Sequence, residues 1–289
     1  MELREVALFT IPDVLDFKPK SRSRVATSIQ RFWHSPRFFG FEQIDPDSPG
    51  LLVANHSLYG VIDVPLLVEE FYLKTNKHLR ILADSFHFTM PWGKRFFDYG
   101  CVEGTKENCA KLMENGEWIL VFPGGGREVF KRKHEKYQLT WKQRTGFARL
   151  AIEHGYPILP VASVGGDDCY DIHIDADDVM ATWAGTLLDK TGINERFLRH
   201  GDVIPPLVSG LFGTPYPKSE RFYYQIGDPI QTVQYRVNPE NKIPYKEAQW
   251  QLRELVAAAI NQQISYLRQL QASDTNRRLT DRTAPYSIE

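Results

Sequence analysis

The 289 residues carry 35 Lys and Arg against 36 Asp and Glu, so the formal net charge is −1 and no overall bias draws the chain to nucleic acid. With 42% hydrophobic residues the chain can bury one full core, and a single domain is expected. Cys101, Cys109 and Cys169 lack CxxC spacing, the N-terminus lacks a secretory h-region, and no run reaches the ~18 apolar residues of a membrane span, which together predict a cytoplasmic, non-spanning protein.

Taken in chain order, the first segment of interest runs from Lys18 to Arg37. It holds Lys18, Lys20, Arg22, Arg24, Arg31 and Arg37 with no acidic residue, while Val25, Ile29, Phe32 and Trp33 share a helical face. Two readings fit: an interfacial helix on a membrane, or a docked helix with its basic face in water. A strand follows at Leu51 to Ala54, and Asn55-His56 leave its end. Were His56 and Asp63 on one straight helix they would be about 10 Å apart along its axis, so the chain between them has to curl. Gly60 can supply the φ > 0 that a curl needs, and a helix then starts near Asp63. An imidazole held by a carboxylate can take a hydroxyl proton on its free nitrogen; a core histidine beside a helix cap fits the pair equally well.

A helix is expected over Val64 to Lys74, a strand over Leu79 to Ala83, a helix from Lys106 to Asn115 stopped by Gly116, and a strand over Trp118 to Phe122. The turn Pro123-Gly124-Gly125-Gly126-Arg127-Glu128 leaves backbone open to a ligand, and Arg127 offers a fork of donors for phosphate or carboxylate. The same glycines can simply make a tight turn with Arg127 paired to Glu103 or Glu128, and the Gly-Lys-Ser/Thr ending of a nucleotide P-loop is absent. Arg144, at the start of a helix over Thr145 to His154 stopped by Gly155, suits either an anionic partner or an ordinary salt bridge. A strand over Ile158 to Ser163 leads into the acidic run Asp167, Asp168, Asp171, Asp175, Asp177 and Asp178, which lacks calcium-loop spacing and is expected to be solvated or to cap helices. No histidine stands in metal-ligand spacing, and only His87, after a strand, is kept as a cleft candidate. From 203 to 217, Ile204, Leu207, Val208, Leu211 and Phe212 lie among prolines and glycines, which reads as an apolar loop at the mouth of a site. A last strand, Arg221 to Ile226, precedes a helix from Tyr245 to Gln271 with Leu252, Leu255, Val256, Ala259, Ile260 and Leu267 at helical spacing.

Alternating strands and helices predict an α/β fold: a mostly parallel sheet covered by helices on both faces, with an N-terminal helical arm over 1–45, a body over 46–271 that includes the long C-terminal helix, and a flexible tail over 272–289.

Three ordered blocks carry a resemblance: Asn55-His56 with Asp63, Phe122 to Arg127, and Pro157-Ile158-Leu159-Pro160-Val161. The pattern resembles the lysophospholipid acyltransferase superfamily. Pro123 to Glu128, Lys136-Tyr137-Gln138-Leu139-Thr140-Trp141 and Val164-Gly165-Gly166-Asp167-Asp168 are more similar to its diacylglycerol acyltransferase and phytyl ester synthase branch. The resemblance runs from about Leu51 to Ile230 and implies acyl transfer from acyl-CoA or acyl-carrier protein to a hydroxyl, with no metal and no bound cofactor. It assigns His56 as general base, Asp63 as its partner, and Asn55, Gly124, Gly125, Gly126, Arg127, Glu128, Lys106 and Arg144 as candidates for holding donor or acceptor. Amides of the Gly124–Gly126 turn are candidates for an oxyanion. Six residues separate His56 from Asp63 where the wider family has four, so the loop is longer here. Gly124 replaces a family Glu and Phe96-Phe97-Asp98-Tyr99-Gly100 lacks an Arg, both of which favour a neutral lipid alcohol over a phosphorylated acceptor. Lys106 could still meet a phosphate, although a solvated helix start suits it better. The alternatives are acylation of a lysophospholipid or glycerol phosphate, and a non-catalytic lipid-binding scaffold. The expected setting is the cytoplasmic face of a membrane, touched by residues 18–39 and by the 203–217 loop.

Overall fold

The computed structural model describes residues 12–196, 198–236 and 244–282. Its strands are β1 (Arg37–Phe39), β2 (Leu51–Ala54), β3 (Leu79–Ala83), β4 (Cys101–Glu103), β5 (Trp118–Val121), β6 (Ile158–Val164), β7 (Asp171–Ile174), β8 (Leu207–Ser209) and β9 (Tyr223–Ile226). Seven of them form one sheet in the order β1-β9-β6-β2-β5-β3-β4, parallel from β6 to β4, with β9 running antiparallel to β6. β7 and β8 make a separate antiparallel pair.

The central strands are apolar throughout because both faces are covered. Alternate residues of β2 show this: Leu51 and Val53 join Ile119, Ile158 and the long helix Tyr245–Ser273 through Leu252, Val256 and Ile260. Leu52 and Ala54 join Leu120, Leu159 and the helix Val64–Thr75 through Leu66, Leu67 and Phe71. Burying a Leu side chain of this kind stabilises the fold by roughly 1.5–3 kcal/mol. Gly116 and Gly155 take φ of 68° after their helices, as the stop signals predict. Leu255 of the predicted stripe faces solvent.

Because β6, β2 and β5 are adjacent and parallel, the residues that follow each strand meet along one edge of the sheet. Asn55-His56 follow β2, Phe122-Pro123-Gly124 follow β5, and Gly165-Gly166-Asp167 follow β6.

Two peripheral expectations need correction. Within 18–37 the helix covers only Ser28–His34, and Arg22, Arg24 and Arg31 are engaged by the body, while Lys18, Lys20 and Arg37 are exposed. Arg31 is buried and pairs with Glu69 (3.1 Å) and Glu70 (2.8 Å) of the helix Val64–Thr75, Arg24 lies 3.8 Å from Glu70, and Arg22 sits over the Tyr99 ring at 4.1 Å. Buried acids claim Arg24 and Arg31 because an unpaired carboxylate inside the protein is costly. The described part of the tail is tethered as well. Arg278 donates to Glu220 (2.8 Å), and Arg282 donates to the carbonyls of Phe32 (2.9 Å) and Trp33 (3.1 Å). Residues 1–11 of the arm and 283–289 of the tail lie outside the described residues.

Candidate active site

His56 stands where β2 ends, and its backbone is held from three directions. Behind it, the buried Asn55 amide clasps one residue of β6: Ser163 N–H donates to Asn55 Oδ1 (2.7 Å) and Asn55 Nδ2 donates to the Ser163 carbonyl (3.0 Å). At the histidine, the backbone N–H donates to Glu128 Oε1 (3.2 Å). Beyond it, Leu58 N–H donates to Asp167 Oδ1 (2.8 Å) and Tyr59 N–H to the Val129 carbonyl (3.1 Å). The glycine-turn block, through Glu128, and the block after β6, through Asp167, therefore each contribute a bond to the short segment around His56.

The loop after His56 curls as the spacing requires. Tyr59 has φ 62° and Gly60 φ 61°. A Cβ on Gly60 would lie 1.9 Å from His56 Cε1, so only glycine fits against the ring. The opposite side is fixed by Phe122, stacked on the imidazole at 4.0 Å and 21°. Burial, then the charges of Lys131 and His87, push the His56 imidazole down to about 3, which leaves it neutral at ordinary pH. Its Nδ1 is buried and without a hydrogen-bond partner among the described residues.

Asp63 does not touch His56. It caps the following helix through Val64 N–H (2.9 Å) and accepts the Ser163 hydroxyl (3.3 Å), while its own carbonyl accepts Tyr224 OH (3.0 Å). Burial raises its carboxyl, with the neighbouring Ser57 hydroxyl opposing. The two extra residues of the loop carry Asp63 to β6 and away from the imidazole. Glu128 is the acid bonded to the histidine's backbone. It is fully buried, and burial pushes its carboxyl up to about 7 against the pull of Lys131. Gly124 makes room for it, since a Cβ there would fall 1.9 Å from Glu128 Oε2.

The remaining candidates are not gathered around the imidazole as free donors. Arg127 pairs with Glu135 through both terminal nitrogens and lies 3.5 Å from Asp202, rather than meeting Glu103 or Glu128. Arg144 donates to the carbonyls of Pro123 (2.8 Å) and Gly124 (2.7 Å), tethering the glycine turn instead of forming an ion pair. Gly125 N–H is spent on the Phe122 carbonyl (3.0 Å), and Gly126 is the second residue of a short turn of helix, Gly125–Val129. Lys106 is exposed at the start of the helix Lys106–Glu114. His87 stacks on Phe96 at 4.7 Å, and its charge is felt at His56.

The acidic run divides. Asp175 and Asp178 form a capping box, as expected. Asp167 is neither solvated nor a cap: it is buried, accepts Leu58 N–H and Tyr137 N–H (both 2.8 Å), and faces Lys131 Nζ at 3.3 Å. Asp168 accepts Tyr137 OH (2.6 Å), and Tyr137 OH in turn accepts Gly165 N–H (3.0 Å), so these blocks brace one another. Sequence reasoning missed Asp167 as a site residue although its block was noticed, and missed Lys131 because a Lys-Arg-Lys run reads as solvated charge. Among the described residues no cluster of His, Cys, Asp or Glu could hold a metal ion.

Residues 35–164 match the family model described as Acyltransferase, so this chain carries an acyltransferase-family domain. Its particular relatives include the chloroplastic phytyl ester synthase 2 of Arabidopsis thaliana, 30% identical over 83% of this chain and 35% of that protein. The human protein named DGAT1/2-independent enzyme synthesizing storage lipids is 31% identical over 45% of this chain and 40% of its own length. The chain thus spans little more than a third of the first of these relatives. Among solved structures, the 1-acyl-sn-glycerophosphate acyltransferase PlsC of Thermotoga maritima aligns with a TM-score of 0.44 at 17% identity, covering 82% of this chain and 79% of that one.

Proposed function

We propose that this chain is an enzyme that moves a fatty acyl group from acyl-CoA or acyl-carrier protein to a neutral lipid alcohol such as diacylglycerol, monoacylglycerol or a long-chain or isoprenoid alcohol, with His56 as general base. The observation that carries the reading is the convergence of Asn55, Glu128 and Asp167 on the backbone around His56, whose ring is packed between Gly60 and Phe122. In this reading the imidazole takes the proton of the acceptor hydroxyl as its oxygen attacks the thioester carbonyl, and returns it to the leaving thiolate. Asp63 anchors the far end of the loop and does not orient the ring directly. A neutral acceptor is supported by Arg127, whose guanidinium is already occupied by Glu135 and Asp202. The phytyl ester synthase name of a relative supports the same class of acceptor.

Substrates of this kind reside in membranes, and the reading includes peripheral contact through apolar side chains. Val25 (79% exposed) and Ile29 (75%) stand out on and beside the helix Ser28–His34, and Phe212 (93%) tips the 203–217 loop. The helix and the loop are joined: Trp33 Nε1 donates to the Pro217 carbonyl (3.0 Å) and packs edge-on against Tyr216. With Arg22, Arg24 and Arg31 turned inward, insertion of these apolar groups replaces a basic face as the cause of binding. No helix among the described residues is long and apolar enough to cross a membrane.

The test incubates labelled acyl-CoA or acyl-carrier protein with purified protein, detergent micelles and a mixed panel of neutral and phosphorylated acceptors, beside His56→Ala. A neutral ester that disappears in the variant is the expected result. A phosphorylated product would move the acceptor assignment, and labelled lipid that binds without forming ester with either donor would leave a lipid-binding scaffold.

A further inference from the structure

We propose that Lys131 is a positioning residue for the transfer: its ammonium is the fixed counter-charge of Asp167 and Glu128, the two buried carboxylates that hold the His56–Leu58 backbone. The proposal rests on the acyl-transfer reading above.

Lys131 is only 1% exposed, and a lysine at that depth is costly unless an opposite charge compensates it. Its Nζ lies 3.3 Å from Asp167 Oδ2 and makes no hydrogen bond among the described residues. Asp167 does not need that contact to satisfy its oxygens, because Leu58 N–H and Tyr137 N–H already donate to them. What the ammonium supplies is therefore charge. The second acid, Glu128, is three residues earlier in the chain, its Oε2 has no hydrogen-bond partner among the described residues, and the largest influence opposing its protonation is Lys131.

The titratable groups around the His56 loop come from several elements. Lys131 and Glu128 stand at and after the helix Gly125–Val129, His87 in the helix Phe86–Thr89, Asp63 at the head of the helix Val64–Thr75, and Asp167 in the turn after β6. Burial and the charges of Lys131 and His87 hold the ring in its neutral form, the one that can accept a proton. Removing the ammonium should therefore raise the proton affinity of His56 and of Glu128, on both of which its charge acts.

Lys131→Met, Lys131→Arg and the double variant Lys131→Met/Glu128→Gln are compared with the parent protein in the His56-dependent transfer assay. The pH profile of kcat/KM is read together with the NMR titration of the His56 Cε1 proton. In Lys131→Met both the acid limb and the ring titration move to higher pH by about one unit. Lys131→Arg keeps both near their original positions. The double variant, which removes one charge of each sign, melts at a higher temperature than Lys131→Met. A Lys131→Met protein with an unshifted ring titration overturns the proposal. If that variant fails to fold, a double variant that also fails overturns it, and one that folds supports it. Should the parent protein make no ester, the acyl-transfer reading falls, while the ring titration still decides the role of Lys131.

Discussion

Replacing Gly60 by alanine probes the contact on which the site depends. At φ 61° an L residue costs roughly 1–2 kcal/mol in the backbone alone. The added Cβ would lie 1.9 Å from His56 Cε1, 2.5 Å from Nδ1 and 2.8 Å from Nε2, distances that no side-chain torsion of alanine can relieve. The ring is also blocked behind by Phe122, so either the imidazole or the loop has to move by about an ångström. A displacement of that size at a reacting group lowers the rate about 100-fold. The expected outcome for Gly60→Ala is a kcat/KM near one hundredth of the parent value with a stability loss of only about 1–3 kcal/mol, read from acyl transfer and urea denaturation on the same preparation. Parent-like activity together with parent-like stability would show that Gly60 does not rest on the imidazole, and the geometry assigned to the site would be wrong.

The protonation states give a pH signature. The folded-state values of His56 and His34 are depressed to about 3 and about 4 from 6.5, so their stabilising contribution is full above pH 6.5 and is lost as pH falls. Glu128 is raised from 4.5 to about 7, so its contribution is full below pH 4.5 and is lost as pH rises through 7. Between these limits, from about pH 4.5 to 6.5, the unfolded chain binds one net proton more through these three groups, and stability should fall by ~1.4 kcal/mol for each unit of acidification. Glu128→Gln removes the opposing group and should double that slope; an unchanged slope would contradict the assignment of Glu128. For Arg127→Ala, loss of the pairs with Glu135 and Asp202 predicts a destabilisation of about 3 kcal/mol without a selective rise in donor KM, and the reverse pattern would restore Arg127 to substrate binding. Substituting Val25, Ile29 and Phe212 with serine should lower partition onto neutral vesicles at least tenfold while leaving the melting temperature within a few degrees, because all three are exposed. Unchanged partition would remove these residues from the membrane reading.

Much of the scaffold was legible because it is local. Apolar runs of four to seven residues, glycines after helices and the period of the last helix are properties of neighbouring residues, and the structure follows them to within a residue or two at β2, β3, β6 and the helix Val64–Thr75. β4 and the pair β7 and β8 were not anticipated, since three- or four-residue strands with polar members carry little periodicity. The curl at Gly60 was expected so that His56 and Asp63 could meet; the chain does turn there, yet Asp63 bonds Val64 and Ser163 instead.

Pairing among distant charges could not be read in the same way. The sequence by itself determined that His56, the glycine turn and the Asp167 block follow strands, and hence that they would meet at one edge of a parallel sheet. It could not determine which charge meets which, because burial decides this and burial is a property of the assembled layers. Thus Asp63 turned to Ser163, Arg127 to Glu135, and Arg31 to Glu69 and Glu70, while Lys131, one cation in a basic run, was the member drawn inside to face Asp167.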